Sequence, residues 1–318
     1  MIMDESILRL VSPITEEEQK ILDGQTCIDR ELYMQGRPDV INSRKLLEHG
    51  KLITLRPHTR FIHFPQHTHD YVEMVYMCSG ATTHIVNGQT ITLKTGELLL
   101  LNQSATHEVC KAGAEDIAIN IIILPQFFSQ ALADLEEEET PLRRFLIDCL
   151  CEQNSFPGYL HFRVSYIKPI QNLVENLLWS LLEDTVSRRK VRQMTMSLLM
   201  MQLVAHTDAL SVSTREDAAV FEVLRYAESS YCEGSLTEIA QRLDCDVYWL
   251  SREFKRKTGK TYTQVVQEKR MAQAAFLLRN TSINVSEIAA SVGYENVSYF
   301  HRLFAASFGC SPKKYRDQ

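Results

Sequence analysis

The chain has 318 residues, of which 45% are hydrophobic and 23% charged, and this globular composition excludes wholesale disorder and fibrous repeats. Its length favours two domains, and the eight scattered cysteines, with no Cys-x-x-Cys pair, exclude a zinc ribbon and a disulfide framework. The formal net charge of −6 is uneven, because residues 218–318 contain 14 Lys and Arg against 11 Asp and Glu, a net of +3 that leaves −9 for the rest.

Residues 1–50 are predicted to form an N-terminal arm. Acidic residues precede any basic residue at its start, which argues against a secretory signal. A short helix is predicted from Thr15 to Leu22, because Thr15 is a good helix cap and Glu18 follows it by three residues. No apolar run in the chain approaches the roughly 18 to 20 residues of a membrane span. We therefore expect a cytoplasmic protein with no membrane partner, and we assign no chemistry to the arm.

Residues 51–135 are predicted to form a small antiparallel β-barrel. From Lys51 to Leu124, runs rich in Val, Ile, Thr, Tyr and Leu alternate with turn signals about every ten residues. The clearest hairpin runs from Thr82 to Leu93, because the pair Asn87-Gly88 favours the turn that matches the twist of the strands.

Two runs of polar residues lie within this predicted barrel. The first is His67-x-His69-x-x-x-Glu73 and the second ends in His107; together they resemble the paired motifs of cupins, although both lack some of the usual glycine and proline. Three imidazoles and a carboxylate suit a divalent ion such as iron or manganese. In a regular strand, however, Glu73 would lie about 13 Å beyond His69 at ~3.3 Å per residue, so that ligation needs a bend. We therefore predict that these four residues line a small-molecule pocket, with no metal, no other cofactor and no catalytic group.

Other charged and imidazole side chains in this half of the chain are given no role in a site. Three histidines in the predicted strands, His58, His63 and His84, are interpreted as packed or surface side chains. The acidic run Glu136–Glu139 is interpreted as a solvated loop or a helix start.

Residues 136–210 are predicted to be a helical segment that covers the barrel or forms a dimer contact. Apolar residues keep helical spacing from Lys168 to Leu182, with Pro169 suitably placed in the first turn. A second helix is predicted near Val191 to His206. We expect these helices to support a homodimer.

Residues 211–217 are polar and lack apolar periodicity, which predicts a linker. An internal repeat follows it in residues 218–318, since the pattern from Ser235 to Leu243 recurs 49 positions later and the pattern from Asp246 to Gly259 recurs 50 positions later. Each copy has a capped amphipathic helix, a tight turn, and a second capped helix that ends at a glycine. The repeat therefore predicts two helix-turn-helix units.

In a helix-turn-helix, outward residues near the start of the second helix contact bases in the major groove. One continuous helix from Tyr262 to Arg279 separates the two units, and at 1.5 Å per residue it spans roughly 27 Å, comparable with the ~34 Å between successive major grooves. One monomer can thus occupy two adjacent grooves of double-stranded DNA. In the first helix-turn-helix, the residues predicted to contact bases are Tyr248, Ser251 and Arg252, and those predicted to contact phosphates are Lys255, Arg256 and Lys257. In the second, the predicted DNA-binding residues are Val297, Ser298, His301 and Arg302.

The run Trp249-Leu250-Ser251-Arg252, the pair Gly293-Tyr294 and the run Gly309-x-Ser311-Pro312 resemble the DNA-binding domain of the AraC/XylS family of bacterial regulators. The likeness covers about a third of the chain, and members of this family often carry a cupin-like sensor domain. One departure is that Ala305 and Ala306 stand where the family often has lysines, so the second unit is expected to bind phosphate weakly.

The resemblance implies a sequence-specific transcription regulator, not an enzyme, controlled by a small-molecule effector such as a sugar or related metabolite, with RNA polymerase as a possible partner. The expected fold is α+β with two domains: an N-terminal cupin-like antiparallel β-barrel with flanking helices, and a C-terminal all-α double helix-turn-helix domain. The alternative is a metal-dependent cupin enzyme with a DNA-binding tail. Its sole support is the set of three histidines and Glu73, and no second acid–base pair or nucleophile has a spacing that suggests catalysis.

Overall fold

The computed structural model describes residues 3–34, 39–135, 140–151, 158–183, 188–211 and 215–316. The chain divides into two compact units: Met1–Glu136 with Leu142–Ser213, and Thr214–Gln318 with Glu137–Pro141. They are called here the N-terminal unit and the C-terminal unit. Within the described ranges, none of the helices has the length and apolar character needed to cross a bilayer.

The N-terminal arm is built from short helices and one short strand. The predicted helix after Thr15 is confirmed, because Thr15 and Glu18 each accept a hydrogen bond from the other's backbone N–H. The Glu18 carboxylate is fully buried and receives three hydrogen bonds from Arg60, two from the guanidinium and one from the backbone. This ion pair ties the arm to the strands that follow. The elements are α1 (Glu5–Val11), α2 (Glu16–Leu22), α3 (Arg30–Tyr33), β1 (Val40–Ile41) and α4 (Ser43–Leu46).

Ten further strands complete two sheets in the N-terminal unit. One sheet has the order β1-β3-β8-β5-β6 and the other has the order β11-β10-β7-β4-β9-β2. Apolar side chains from both sheets, such as Val75, Leu99, Val86 and Leu93, form one buried cluster, so the core lies between the sheets. The strands are β2 (Ile53–Pro57), β3 (Phe64–His69), β4 (Val72–Ser79), β5 (Ala81–Val86), β6 (Gln89–Lys94), β7 (Leu98–Leu101), β8 (His107–Val109), β9 (Ile117–Ile123), β10 (Tyr159–Phe162) and β11 (Leu210–Ser211).

The sequence correctly predicts a β-rich N-terminal domain, but its strands form two sheets and not a closed barrel. The chain leaves one sheet at the end of β3 and enters the other at β4, so these consecutive strands are not paired. The sheets also extend beyond residues 51–135, since β1 pairs with β3 in parallel and β10 pairs with β7. β10 has only four residues, all buried, and a run so short shows no alternation by which a strand is recognised. The predicted hairpin is confirmed, with positive φ at both Asn87 and Gly88.

Among the described residues, four α-helices complete the N-terminal unit. The predicted helix from Lys168 to Leu182 has these bounds in the structure, and it buries Ile170, Val174, Leu177 and Leu178. The predicted acidic run at 136–139 lies outside the described residues. The helices are α5 (Ser129–Asp134), α6 (Pro141–Cys151), α7 (Lys168–Leu182) and α8 (Arg189–Ala205).

The C-terminal unit is entirely helical in its described part. Ser235 and Asn284 cap the first helices of the two repeats, and Asp246 and Asn296 cap the second helices. Each second helix ends at a glycine in the left-handed conformation, as the repeat predicts. The elements are α9 (Arg215–Ser229), α10 (Leu236–Arg242), α11 (Val247–Thr258), α12 (Tyr262–Asn280), α13 (Val285–Ser291), α14 (Val297–Phe308) and α15 (Pro312–Arg316).

The linker predicted at 211–217 is shorter than expected. Ser211 belongs to β11, and α9 begins at Arg215, while residues 212–214 lie outside the described part of the chain. The first turn of α9 contains only polar residues before Ala218, so hydrophobic periodicity gave no sign that the helix had started.

Candidate functional site

The second helices of the two repeats each bury one face and expose the other. In α11, Leu250 and Phe254 are fully buried, whereas Tyr248, Ser251 and Arg252 are exposed. The buried residues lie four apart on the face toward the partner helix, which leaves the face predicted for base contacts available. Tyr248 is 76% exposed, an unusual state for a large aromatic side chain and one that favours a binding surface.

The three predicted phosphate contacts at the end of α11 are not equivalent. Arg256 donates to the Glu253 carboxylate, and Lys257 Nζ lies 3.8 Å from it. The hydrogen bond from Arg256 lowers the pKa of Glu253 below its ordinary value, so the carboxylate is ionised and partly neutralises both cations. Lys255 is exposed and has no ion pair with any described residue. Lys255 is therefore the least compensated charge of the three.

The second helix of each helix-turn-helix is called here its recognition helix. The recognition helix of the second repeat, α14, exposes fewer polar groups than α11. Ser298 and Arg302 are exposed, and the Arg302 guanidinium lies 5.2 Å from the centre of the Tyr299 ring. Val297 is half-buried and packs against the core, and His301 is half-buried with its ring edge-on to Phe300. Of the four residues predicted for DNA contact in this helix, two are thus fully available.

One residue that sequence reasoning gave no role joins the two halves of the C-terminal unit. Arg270 on α12 donates hydrogen bonds to three backbone carbonyls, at Tyr231 and Cys232 after α9 and at Gly293 before α14. Its guanidinium also lies 5.1 Å from the centre of the Tyr294 ring. Arg270 thereby fixes the turn of the second helix-turn-helix to α12, the helix that separates the two repeats.

The N-terminal unit brings together the four residues predicted to line a pocket. Nitrogens of His67, His69 and His107 all lie within 4.8 Å of one another, and all three side chains are buried. The Glu73 carboxylate lies 3.2 Å from His69 Nε2 and 3.4 Å from His107 Nδ1. The bend that this arrangement needs is present, because the chain turns at Asp70 and Tyr71 between β3 and β4.

Two histidines predicted to be packed or surface side chains, His58 and His84, are buried and lie beside this cluster. His84 Nδ1 lies 2.8 Å from His107 Nε2, and the His58 ring centre lies 5.6 Å from that of His84. Both residues are buried, and His58 Nδ1 pairs with the side-chain oxygen of Asn120. The position of His84 in a predicted strand does not distinguish a packed histidine from a site histidine. His63 instead pairs with Glu108 at the surface.

Burial sets the charges within this cluster. Burial lowers the pKa of His67 to about 3, and it also lowers the pKa of His84 and His107. Burial alone would raise the pKa of Glu73, but the neighbouring imidazoles of His107 and His69 outweigh it and hold this pKa well below its ordinary value. At neutral pH the Glu73 carboxylate is therefore ionised, and His67, His84 and His107 are uncharged.

The cupin-like motifs imply a divalent metal at this cluster, and the residues present fit one. Both ring nitrogens of His69, Oε2 of Glu73 and Nδ1 of His107 are buried without a hydrogen-bond partner among the described residues. Ligand atoms about 2.1 Å from one ion in tetrahedral geometry are roughly 3.4 Å apart, so nitrogens up to 4.8 Å apart would need to approach one another by up to about 1.4 Å. Neutral imidazoles and a carboxylate are the donors that Zn²⁺, Fe²⁺ and similar ions prefer.

Two cavities adjoin one another in the N-terminal unit. The inner one has a volume of about 30 Å³ and is lined by His67, Glu73 and His107 among others, which is room for an ion or a water molecule. The outer one is a cleft of about 430 Å³ between the arm and the strands, with charged and polar lining residues. Arg56 lines both, and it donates to the carboxylate of Glu17 and to the hydroxyl of Tyr33.

Both units match known families. Residues 49–203 match the family described as the AraC-like ligand binding domain, and residues 239–318 match the helix-turn-helix domain. The transcriptional activator RhaR of Mannheimia succiniciproducens is 26% identical over 263 residues, covering 80% of this chain and 88% of that protein. The transcriptional activator RhaS of Escherichia fergusonii is 26% identical over 260 residues, with coverage of 80% and 88%. The C-terminal domain of the response regulator yesN of Fusobacterium nucleatum is 33% identical, covering 31% of this chain and 98% of that domain, with a TM-score of 0.30.

A helical unit with two exposed recognition helices, joined in one chain to a ligand-binding β-rich unit, defines a DNA-binding transcription regulator controlled by a small molecule. The chain thus contains an AraC-like ligand binding domain and a helix-turn-helix domain, as the resemblance of its motifs to the AraC/XylS family predicts.

Proposed function

We propose that this protein activates transcription by placing α11 and α14 in adjacent major grooves of its target DNA. The observation that carries the proposal is the pair of matched recognition helices, each capped at its start and ended by a left-handed glycine, with outward polar residues on the exposed face. The relatives named as transcriptional activators support activation, which requires contact with RNA polymerase, and placement in the cytoplasm where the DNA lies.

The substitution Arg252→Ala tests this proposal. Arg252 is exposed in the second turn of α11, so its loss should weaken binding to a mapped target site by about 1 to 3 kcal/mol, without unfolding the unit. The measurement is a titration of the full chain against specific and scrambled DNA. Arg242→Ala is the matched control, because Arg242 is exposed on the bracing helix α10 and pairs with Glu238. Equal losses for both variants would refute base recognition by Arg252.

The unequal cations of α11 give a second expected result, in the salt dependence of DNA binding. Each phosphate contact contributes about 0.9 to the slope of log affinity against log salt. Lys255→Ala should flatten this slope by close to that amount, and Lys257→Ala should flatten it less, because Lys257 lies near Glu253 and its side chain is only 11% exposed. Ala305→Lys, which adds a cation to α14 of the second helix-turn-helix, should steepen the slope. Equal salt slopes for Lys255→Ala and the wild type would show that Lys255 does not contact a phosphate.

The effector is proposed to be a sugar or related polar metabolite bound in the N-terminal unit, with His67, His69, Glu73 and His107 at the inner end of its site. The inner cavity is too small for such a molecule, but the adjoining cleft of about 430 Å³ is large enough and is lined by hydrogen-bonding groups. Arg56 lines both the inner cavity and the cleft, so a ligand that displaces this side chain in the cleft also changes the inner cavity. An effector changes DNA binding only if its affinity differs between two states of the protein.

We also propose a homodimer formed through α8. The stripe of α7 predicted for this role is buried within the unit, but α8 exposes Val191, Met194, Leu198 and Met201. Their spacing of three, four and three residues is that of a coiled-coil seam. A second copy of the chain supplies the same stripe, and pairing the two removes all four side chains from water.

Leu198→Glu is expected to dissociate this dimer. The substitution occurs twice in a symmetric interface, and each lost leucine costs about 1.5 to 3 kcal/mol, so the dissociation constant should rise at least about a hundredfold. Sedimentation across a concentration series gives the constant. Leu10→Glu is the matched control, since Leu10 on α1 is 55% exposed, similar to the 50% of Leu198. A Leu198→Glu protein that stays dimeric, or a monomeric wild type, would exclude this interface.

The competing function is a metal-dependent enzyme with a DNA-binding tail, and the histidine cluster is the observation that favours it. We propose that the protein is not an enzyme, because its relatives are named as activators and the inner cavity of about 30 Å³ has no room for a substrate beside an ion. Turnover of any candidate metabolite by the metal-loaded protein would reverse this assignment.

A further inference from the structure

The two recognition helices hold their matching arginines differently. Arg252 in α11 and Arg302 in α14 occupy the same place in the repeat, 50 positions apart. Among the residues that the structure describes, Arg252 has no hydrogen bond, ion pair or ring contact of its side chain. The Arg302 guanidinium, in contrast, lies over the Tyr299 ring, 5.2 Å from its centre. One arginine is therefore free to rotate, and the other is restrained by its neighbour.

The restraint on Arg302 reaches back to the core of the C-terminal unit. The Tyr299 ring is 41% exposed, and its centre lies 6.1 Å from that of the buried Tyr294 ring, a normal distance for packed aromatic side chains. Arg270, whose guanidinium is held by three backbone carbonyls, lies 5.1 Å from the centre of the Tyr294 ring. Four side chains thus form a continuous row from α12 to the exposed face of α14.

The first repeat does not have an equivalent row. Trp249 stands at the place of Tyr299, but it is half-buried and makes no ring contact with a described residue. The turn before α11 contains Asp244 and Cys245, so it has no aromatic side chain at the place of Tyr294. The restraint therefore belongs to the second repeat alone, and the first repeat provides an internal comparison.

The second recognition helix depends on Arg302 more than the first depends on Arg252. Among the twelve residues of α14, Arg302 alone is a lysine or arginine. An arginine commonly recognises guanine through two hydrogen bonds, to O6 and N7 in the major groove. A flexible arginine loses rotamer freedom when it makes both bonds, and a side chain that is already restrained loses less. An exposed contact between a cation and an aromatic ring changes an equilibrium constant by about two- to fivefold.

We infer that Tyr299 is a positioning residue that holds Arg302 for bidentate contact with a guanine in the half of the target site bound by α14. This inference rests on the proposed function, because it requires α14 to lie in a major groove. Tyr299 then contributes to DNA binding only through Arg302, and not through a contact of its own with DNA.

The test is a double-mutant cycle on the full chain, with a DNA duplex that the wild type selects from random-sequence DNA. Tyr299→Leu should weaken binding about two- to fivefold when Arg302 is present, and should have no effect in the Arg302→Ala background. Tyr299→Phe keeps the ring and should bind like the wild type. Replacing the contacted guanine with 7-deazaguanine removes the N7 acceptor, and the resulting loss of affinity should be smaller in Tyr299→Leu than in the wild type and absent in Arg302→Ala.

The same cycle with Trp249→Leu and Arg252→Ala is the matched control, and no coupling is expected between these two residues. Circular dichroism establishes that each variant is folded. The positioning role would be overturned by equal losses from Tyr299→Leu with and without Arg302, by tighter binding of Tyr299→Leu, or by coupling of equal size in the two repeats. If Arg302→Ala binds the selected duplex like the wild type, the proposed function of α14 fails together with this inference.

Discussion

Replacing Arg270 with methionine is expected to lower the free energy of unfolding of the C-terminal unit by about 3 kcal/mol and to weaken DNA binding far more than loss of one contact. Arg270 supplies three hydrogen bonds to backbone carbonyls, of Tyr231, Cys232 and Gly293. Each carbonyl left without a donor in a partly buried position costs about 1 to 3 kcal/mol, and water recovers part of the total. DNA binding is affected because the turn before α14 is no longer fixed to α12, which sets the spacing of the two recognition helices.

Urea unfolding followed by the fluorescence of Trp249, which lies in α11, measures the stability of this unit. Arg279→Met is the matched control, since Arg279 is exposed on the same helix and stacks over Tyr315 at 4.5 Å, an exposed contact that contributes about 0.5 to 1 kcal/mol. Arg270→Lys should recover little, because an ammonium group cannot reach three carbonyls from one position. If the two methionine variants unfold at the same urea concentration, Arg270 does not join the repeats as described.

The C-terminal unit was predictable from its sequence because its signals are local. Asp246 and Asn296 cap helices within three residues of themselves, and Gly259 and Gly309 end them through their own backbone conformation. The role of Arg270 was not predictable in this way, because its partners lie 23 to 39 residues away and are backbone atoms, whose positions no residue type reveals.

Charge pairing within α11 could have been found in the sequence. Glu253 precedes Arg256 by three residues and Lys257 by four, and oppositely charged residues at these spacings meet on a helix surface. All three cations were nevertheless assigned to phosphates, because the assignment used their place at the end of a recognition helix and not their neighbours.

The four residues predicted to line a pocket lie together in the structure, but the sequence does not show how they meet. His69 and Glu73 are four residues apart, a separation of about 13 Å in one extended strand. They are within hydrogen-bonding distance only because the chain passes from one sheet to the other between them. That change of sheet depends on the pairing of β3 with β8 and of β4 with β7 and β9, which are contacts distant in sequence. His84 reaches the cluster in the same way, through the pairing of β5 with β8.

The attachment of the arm to the sheets rests on Glu18, which the sequence identified only as part of a helix cap. In the structure its carboxylate also accepts from Arg60, whose guanidinium donates in addition to the carbonyl oxygens of Ser12 and Ala114. The sequence reveals the cap, because a cap involves only neighbouring residues. It does not reveal the ion pair, because Arg60 lies 42 residues away and meets Glu18 only in the folded chain.

Glu18→Gln is expected to lower the free energy of unfolding of the N-terminal unit by about 3 kcal/mol at pH 7, because it leaves the buried guanidinium of Arg60 without its counter-charge. Burial alone would raise the pKa of Glu18, but hydrogen bonds from Arg60 and from the Thr15 backbone hold it below its ordinary value. A carboxyl with a lower pKa in the folded state stabilises the fold above its unfolded pKa of about 4.3, and this stabilisation is lost as the pH falls through the folded value. The difference in unfolding free energy between the wild type and Glu18→Gln should therefore be largest at neutral pH and shrink in acid.

Urea unfolding from pH 7 to pH 3, followed by the fluorescence of Trp179 in α7, measures this difference. The control for simple loss of charge is Glu16→Gln, because Glu16 is exposed on the same helix. A difference that stays constant across this range, or one no larger than that of Glu16→Gln, would show that the ion pair does not hold the arm.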